Sequence, residues 1–367
     1  MKRVAVIGAG IAGLTAASGL LAGGWSVTLF EKSRGAGGRC ATRRSEAGAF
    51  DHGAPGFTAT TDSFRAQVSR WRDSGWVAIE GDSGEVSGDP AAPSYAFGVP
   101  SMNSLARQLA AHLPEGANWR PDTQIAAIEP APGDAEAADG HGGWRLRLLN
   151  GDLEPARFDA VVVAVPAEQA AVLLNLDAAL SDAMRQTPSD PCWTVMAAWS
   201  APWPVSEAVY RCADPRGTLS LARRDDDRTG RTEVAGIGCR WVLHATPAWT
   251  REHLEAVPAD VKAALLAAFG QHCGVHHAVP QFSTAHRWRH ARVPSPRHEP
   301  FGWNPVLRLG ACGDAWHGAT DSQSLQDDGI ERAWLSGRAL AQRMVLEGVP
   351  LDRRVPSAVT GEAGEPA

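Results

Sequence analysis

The sequence predicts an α/β fold: a parallel sheet with helices, interleaved with an α+β unit built on an antiparallel sheet. Three observations carry this. Residues 4–30 read as strand, glycine turn, helix and second strand without one charged residue. Residues 159–165, DAVVVAV, form a run that is apolar from Ala160 on, of the kind buried on both faces of a parallel sheet. From about 173 to 300 the pattern changes to alternating strands with turn signals between them. At 367 residues the chain exceeds one ordinary core, so two domains sharing a cleft are expected. The expected division gives 1–60, 98–170 and 301–348 to the first domain and 61–97 and 171–300 to the second. Residues 349–367 carry Gly, Pro and Glu and read as a disordered tail.

The opening unit is the most legible. Val4 to Ile7 form a short apolar strand, Gly8-Ala9-Gly10-Ile11-Ala12-Gly13 follows at once, and residues 14–21 continue at helical spacing. Gly8 permits the tight turn, Gly10 lets backbone N–H groups approach a pyrophosphate, and Gly13 lets the helix lie close against the strand. The helix start then faces the anion with the favourable end of its dipole. A second strand, 26–30, ends at Glu31, roughly 20 residues beyond the glycines, where a carboxylate accepts both hydroxyls of an adenosine ribose. This is a Rossmann-type cradle for a dinucleotide with an unphosphorylated ribose. The motif does not separate NAD from FAD, and glycine turns also arise by chance in a chain with 38 Gly. Residues 34–39, RGAGGR, add flexible N–H donors and a guanidinium, Arg39, able to grip a diphosphate.

A glycine turn, an acidic strand end and then GGR resemble the two-motif signature of the flavin-dependent amine oxidase superfamily. Residues 50–58 (FDHGAPGFT), 98–103 (GVPSMN), 241–246 (WVLHAT) and Gly313-Asp314 narrow the resemblance to the bacterial renalase-like oxidoreductases, from residue 4 to about 344. The resemblance implies non-covalent FAD held by Gly8, Gly10, Ile11, Ala12, Gly13, Glu31, Lys32, Gly38, Arg39, Ala54, Gly313, Asp314 and Ile330. Ala54 then lies near the isoalloxazine, Asp314 meets the ribityl or pyrophosphate region, and a helix from 329 points its start at the flavin pyrimidine. Three features depart from the family. Pro55 stands where Gln is usual and offers neither an N–H nor an amide. Arg332 replaces a small glycine at the last helix start, and a polar run, 315–328, separates that helix from Gly313-Asp314.

The remaining elements follow in order. Residues 62–72 read as an amphipathic helix, with Phe64, Val68 and Trp71 on one side, leading out of the first domain. Residues 76–97 suggest a small hairpin. Ser101 is a candidate N-cap for a helix with Met102, Leu105, Leu109 and Leu113 on one face. Residues 123–128 and 144–149 read as paired strands around an exposed loop, 130–143, and residues 159–165 return the chain to the nucleotide domain. Residues 194–199, 219–222, 234–238 and 241–244 read as strands of one antiparallel sheet, with 225–231 (DDDRTGR) a solvated turn. Residues 250–269 read as one helix with Lys262 facing solvent. Residues 306–310 form a strand before Gly313-Asp314, and 329–344 a final helix.

In 286–290 (HRWRH), His286 and His290 are four apart, as helical metal ligands are, but alternating Arg and Trp fit a strand. No acidic or cysteine partner is spaced nearby, so no metal is expected. By resemblance this segment approaches the flavin face, which makes Trp288 and His244 the candidate pocket wall. His52 reads as a structural histidine in a turn, with a base as the alternative.

Composition limits the partners. A net charge of −6 without a basic stripe argues against nucleic acid. Gly8, Gly10, Gly13, Gly19, Gly23 and Gly24 would interrupt a signal or membrane helix in the uncharged opening. Six cysteines without a CxxC pair fit free thiols in a reducing cytoplasm. A flavin takes hydride at N5 and passes two electrons to molecular oxygen, so the protein must mainly orient a donor C–H, and no catalytic residue is assigned. Amine oxidases of the superfamily hold a water near N5 with a lysine, yet only Lys2, Lys32 and Lys262 occur here, none placed for that task. The expectation is a flat small-molecule hydride donor, an isomeric 2- or 6-dihydro-NAD(P), oxidised in a renalase-like reaction. Flavin amine or small-alcohol oxidation, and non-enzymatic binding on the same fold, are the alternatives.

Overall fold

The computed structural model describes residues 1–80, 94–131, 143–203, 205, 207–275, 279–317 and 329–348. The expected tail 349–367, most of the 130–143 loop and most of the 315–328 run lie outside the described residues.

Chain order shows how the two sheets interleave. β1 (Arg3–Ile7) passes through the glycine turn into α1 (Ile11–Ala22) and β2 (Ser26–Phe30). A 3-10 turn at Gly38–Cys40 precedes the hairpin β3 (Arg43–Ser45) and β4 (Gly48–Phe50). Then come β5 (Phe57–Ala59), α2 (Asp62–Asp73), β6 (Val77–Ile79), β7 (Ser94–Gly98), α3 (Met102–Ala111) and β8 (Ala117–Arg120). β9 (Ile125–Pro130) and β10 (Trp144–Leu148) pair before β11 (Ala160–Val163). α4 (Ala167–Leu173) and α5 (Ala178–Arg185) lead to β12 (Asp190–Trp199), β13 (Val209–Arg211), β14 (Leu219–Arg224) and β15 (Cys239–Ala245). α6 (Pro247–Glu252), α7 (Pro258–His272) and β16 (Phe282–Arg292) complete the second sheet, and the chain returns through β17 (Gly302–Asn304), β18 (Leu309–Ala311) and α8 (Gly329–Gly348).

The first sheet runs β17-β18-β11-β1-β2-β8, parallel except for β17 at its edge. Successive residues of β1 enter different cores: Val4 and Val6 join Leu14, Leu20 and Leu340, whereas Ala5 and Ile7 join Phe30, Val161 and Trp316. Both faces are covered, which is why the strand reads as an unbroken apolar run. Because β1, β2, β11 and β18 are parallel, the glycine turn, Glu31 and Gly313 all fall at the carboxyl ends of neighbouring strands, where ligands bind in such sheets. The second sheet, β13-β14-β15-β12-β16, is antiparallel. One face packs Trp193, Val195, Ala197 and Trp241 on Val261, Leu265 and Phe269 of α7; the other turns Met196, Ala198 and Val242 toward Phe50. Tryptophan abundance is therefore largely core filling here.

Two local expectations change. Residues 234–238 form a turn, with Gly236 at φ +78°, and the strand starts at Cys239. The single helix expected over 250–269 is two, because Pro258 opens α7 at a position where its fixed φ suits a helix start. α2 buries Phe64, Val68 and Trp71 in the same cluster as β1 and α1, alongside Val77 and Phe97 of the small β5-β7-β6 sheet. Among the described residues no helix is long and apolar enough to cross a membrane.

α8 lies against α1 along small residues. An added Cβ at Gly337 would stand 2.3 Å from the Ala12 carbonyl oxygen, and one at Gly19 would stand 2.9 Å from Ala341 Cβ. Gly337→Ala should therefore force the helices apart and cost about 1–3 kcal/mol, as overpacking typically does. A urea titration reads this as a lowered midpoint with an unchanged slope.

Candidate functional site

The cradle is built from backbone. At Gly8, φ is +104° and a Cβ would meet the Ala164 carbonyl oxygen at 2.5 Å; at Gly13 it would meet the Gly8 carbonyl oxygen at 1.9 Å. At Gly10 nothing lies within 4 Å. Gly10 is the N-cap of α1 and no side chain caps the helix, whose first turn also lacks an acid. The start of α1, with Ile11 and Ala12, thus offers N–H donors to open space, and the donor set fits a diphosphate. Glu31 is buried at the end of β2, where it accepts from Ala9 N at 2.9 Å and Ser33 N at 2.8 Å. Lys32 beside it is exposed.

The far end of the chain closes on this cradle. Arg39 and Asp314 form a bidentate pair, Nη1 to Oδ2 at 2.7 Å and Nη2 to Oδ1 at 2.6 Å. The structure thus joins these two predicted residues to each other rather than holding Arg39 free for a diphosphate. Arg332, placed by sequence as a departure, is fully buried and donates from Nε to the Asp314 carbonyl at 3.0 Å and from Nη2 to the Val293 carbonyl at 3.4 Å. Gly313 N donates to Ser336 Oγ at 3.2 Å, and Gly329, just before Ile330, lies against the Asp314 carboxylate. Glu331, which sequence reasoning missed, accepts from the backbone N–H and hydroxyl of both Thr60 and Thr61 at 2.5–2.9 Å. The first turn of α8 is therefore fixed at two corners.

A wall of the second sheet adjoins this cradle. His244, Thr194 and His286 stand in register across β15, β12 and β16, and Cys192 faces Trp288 one pair further on. His244 and Trp288 therefore share the face, as predicted, and His52 and His286 join them. Ring centroids lie 4.8 Å apart for His52 and His286, 5.1 Å for His52 and Trp288, and 4.6 Å for His286 and Trp288. Trp288 Nε1 donates to the His52 carbonyl at 2.9 Å. Gly53 sits between this wall and the cradle: a Cβ there would be 2.0 Å from the Arg39 carbonyl oxygen and 3.3 Å from Trp288 Cζ2. Ala54 N donates to that same carbonyl at 2.8 Å. The signal for His286 was in the sequence, since it is two residues before Trp288 on a strand.

These imidazoles are neutral. Burial first, then the nearby His286 and Arg43, push His52 down to about 3. Burial, then Arg228, pushes His244 down to about 4, and burial with Arg43 lowers His286. His52 Nδ1 and His244 Nε2 are buried without a partner. Cys192, 3.8 Å from His244 Nδ1, is pushed up to about 11 by burial, so it is a thiol and no nucleophile.

The 225–231 segment, expected in solvent, does expose Asp227, Thr229 and Gly230, but it turns Asp225, Arg228 and Arg231 inward as a buried ionic lock. Asp225 is 1% exposed and Arg228 5%, and the Arg231 side chain is 3% exposed. Asp51 Oδ2 pairs with Arg228 Nη1 at 2.9 Å and Arg231 Nη2 at 2.6 Å, and Arg231 reaches Asp225 Oδ2 at 2.9 Å. Arg228 also donates to the Pro55 carbonyl. Proline thus still contributes a contact, through its carbonyl. Asp51 further accepts from Thr42 Oγ1 at 2.6 Å and Met102 N at 3.1 Å. Ser101 occupies the N-cap position of α3 as predicted, but its hydroxyl turns to Ser104 at 2.9 Å, and Asp51 accepts from the first N–H of the helix. Nothing local in DDDRTGR reveals this, because the compensating carboxylate lies 177 residues from Arg228.

Two outcomes follow. Asp51→Asn should leave buried guanidinium charge uncompensated and cost about 3–5 kcal/mol, read from a urea midpoint. The pH dependence has a definite sign. An unfolded imidazole titrates near 6.5, so below that pH the unfolded chain binds protons that folded His52 and His244 refuse. Stability present above pH 6.5 is lost toward their folded values of about 3 and 4, by about 1.4 kcal/mol per pH unit for each imidazole. Asp225, held above the usual carboxylate range by burial and Asp51, acts in the opposite direction. His244→Gln should therefore flatten the fall in urea midpoint between pH 6 and 5, by about one proton.

Residues 6–70 match the family model of an NAD(P)-binding Rossmann-like domain. Three solved structures align over 94% of this chain and 99% of their own. One, from Exiguobacterium sp. 255-15, is provisionally described as a protoporphyrinogen oxidase, with a TM-score of 0.68 at 15% identity. Another is the cyclohexylamine oxidase of Brevibacterium oxydans IH-35A, at 0.66 and 12%. The third is wild-type putrescine oxidase bound to putrescine, at 0.63 and 12%. The chain shares the fold of these oxidases over nearly its whole length.

Proposed function

We propose that the chain is an FAD-dependent oxidoreductase that carries out renalase-like oxidation of a flat, uncharged-ring hydride donor, an isomeric 2- or 6-dihydro-NAD(P), with oxygen as acceptor. One observation carries the reading: a wall of neutral imidazoles and an indole adjoins a dinucleotide cradle. FAD bound there would supply a hydride acceptor and a two-electron path to oxygen. The open start of α1 would hold the diphosphate and Glu31 the ribose, with the Arg39–Asp314 pair and the start of α8 closing the far side.

The wall's task is orientation. Rings of His52, His286 and Trp288 in mutual contact favour a flat donor. A dihydronicotinamide becomes aromatic by losing hydride alone, so no base is required. Imidazoles held down to about 3 and 4 are correspondingly poor bases at neutral pH.

The names of two structural neighbours favour amine oxidation as the second reading. An alkylamine arrives largely as a cation, however, and the charges felt by this wall come from Arg43 and Arg228. Repulsion there disfavours an ammonium donor.

Purified protein should be yellow and release FAD on denaturation. Glu31→Ala should weaken FAD retention by roughly tenfold or more, because hydrogen bonds to a charged group contribute about 1.5–3 kcal/mol. Anaerobic mixing with 2- or 6-dihydro-NAD should bleach the visible flavin bands, and air should restore them. Bands that stay oxidised would sink the substrate assignment while leaving the cofactor standing. Peroxide released from an amine panel instead would favour the second reading.

A further inference from the structure

A second cluster of cations lies away from the wall. Arg240 is on β15, on the same face as His244, with Val242 between them. Val242 packs with Phe50, Met196 and Ala198, and Phe50 stacks on Phe282 at 5.6 Å, so a hydrophobic plug separates Arg240 from the imidazoles. Arg240 is only 2% exposed, yet no carboxylate pairs with its guanidinium among the described residues. Its Nε is buried without a partner, and Nη2 reaches only the Thr232 carbonyl at 3.3 Å. The nearest acids are committed: Asp225 to Arg231, and Asp226 to Arg224 and to the backbone N–H of Arg240. Asp226 and Asp225 act on Arg240 through space, but neither meets its guanidinium, which is left buried without an ion pair among the described residues.

That guanidinium lines a cleft of about 290 Å³ between the β3–β4 hairpin and residues 230–234. Arg44 and Arg231 line it too, as does Thr232, and no carboxylate does. Gly48 lets Arg240 lie directly on the hairpin: φ there is +105°, and a Cβ would stand 2.8 Å from Nη1. Arg44 is exposed and has no ion pair among the described residues. A buried cation is costly without an anion, and convergent guanidinium forks match the oxygens of a phosphate.

We propose that this cleft is a binding site for a phosphate group, either inorganic phosphate or the head of a small phosphate monoester. The site is separate from the flavin chemistry and does not depend on it. Its size suits so small a ligand, lying just below the range of small-molecule pockets, about 300–1,000 Å³.

The test is calorimetric titration of the full-length protein with inorganic phosphate, glycerol phosphate and succinate, with chloride as the control at matched ionic strength. Thermal melts run beside it. Phosphate should bind saturably and raise Tm, as a ligand of the native state must. Arg44→Gln and Arg240→Met should each weaken binding at least tenfold and leave the flavin spectrum unchanged. Without phosphate, Arg240→Met should melt no lower than the wild type, since it removes an unpaired buried charge. Tighter binding of glycerol phosphate than of phosphate would identify the monoester as the ligand; the reverse would identify the free anion. An equal Tm rise with chloride, binding that survives both substitutions, or succinate binding as tightly as phosphate would overturn the proposal. If Arg240→Met does not fold, Arg44→Gln decides alone, because its side chain is exposed.

Discussion

The carboxylate of Asp51 is the point on which the geometry of the site depends. It is fully enclosed and takes hydrogen bonds or ion pairs from Thr42, Met102 N, Arg228 and Arg231, which come from the hairpin, α3 and the second sheet. Two buried cations and two buried carboxylates gain little net stability, because desolvation offsets most of their attraction. They gain specificity instead. Any other docking of the 225–231 segment would strand charges in an apolar interior. His52 is the next residue in the chain, and Pro55, held by Arg228, lies three beyond it. The lock thus sets the path of the segment that carries the wall's His52 and the predicted flavin neighbour Ala54.

The opposite side of the cleft is held by a different device. α8 has to place its start beside Gly313-Asp314, and a lone helix end would be free to slide. Close packing on α1 through Gly337 and Gly19 sets its height, and Glu331 and Arg332 set its rotation by gripping Thr60, Thr61 and the Asp314 and Val293 carbonyls. Both side chains are wholly buried, so each would be expensive if its partners moved. Two helix starts, those of α1 and α8, are in this way fixed around one space, and both present the end of the helix that favours negative charge.

Sequence reveals the parts whose signal is local. The glycine turn, Glu31, the all-apolar β11 and the β16 strand reading follow from backbone sterics and periodicity within a few residues, and each is found where expected. Trp288 and His244 are named through the family resemblance instead, and they share a face because β15 and β16 pair with opposite edges of β12. What sequence misplaces depends on distant partners. Arg228 and Arg231 of DDDRTGR read as solvated because their partner Asp51 is far away in the chain, and Ser101 reads as a side-chain cap because the carboxylate that accepts from the start of α3 is also Asp51. Arg332 reads as an obstacle because its acceptors are backbone carbonyls, which composition does not display.

The same distant pairing bears on what the wall can accept. Unpaired, Asp51, which adjoins His52 in the chain, and Asp225 would carry free negative charge, which would favour an ammonium donor. Their charges are instead spent on Arg228 and Arg231, and Arg43 lies on the same side of the balance. The imidazoles respond to that local excess: protonating one of them would add a like charge in a desolvated place, so they stay neutral. A wall of this kind binds through ring faces and N–H or N acceptors rather than through charge. In the proposed reaction it would discriminate by shape and by the absence of positive charge on the donor ring. On the proposed function, the ionic lock and the choice of donor would be consequences of one arrangement, because Arg228 both pins Asp51 and lowers the His244 pKa.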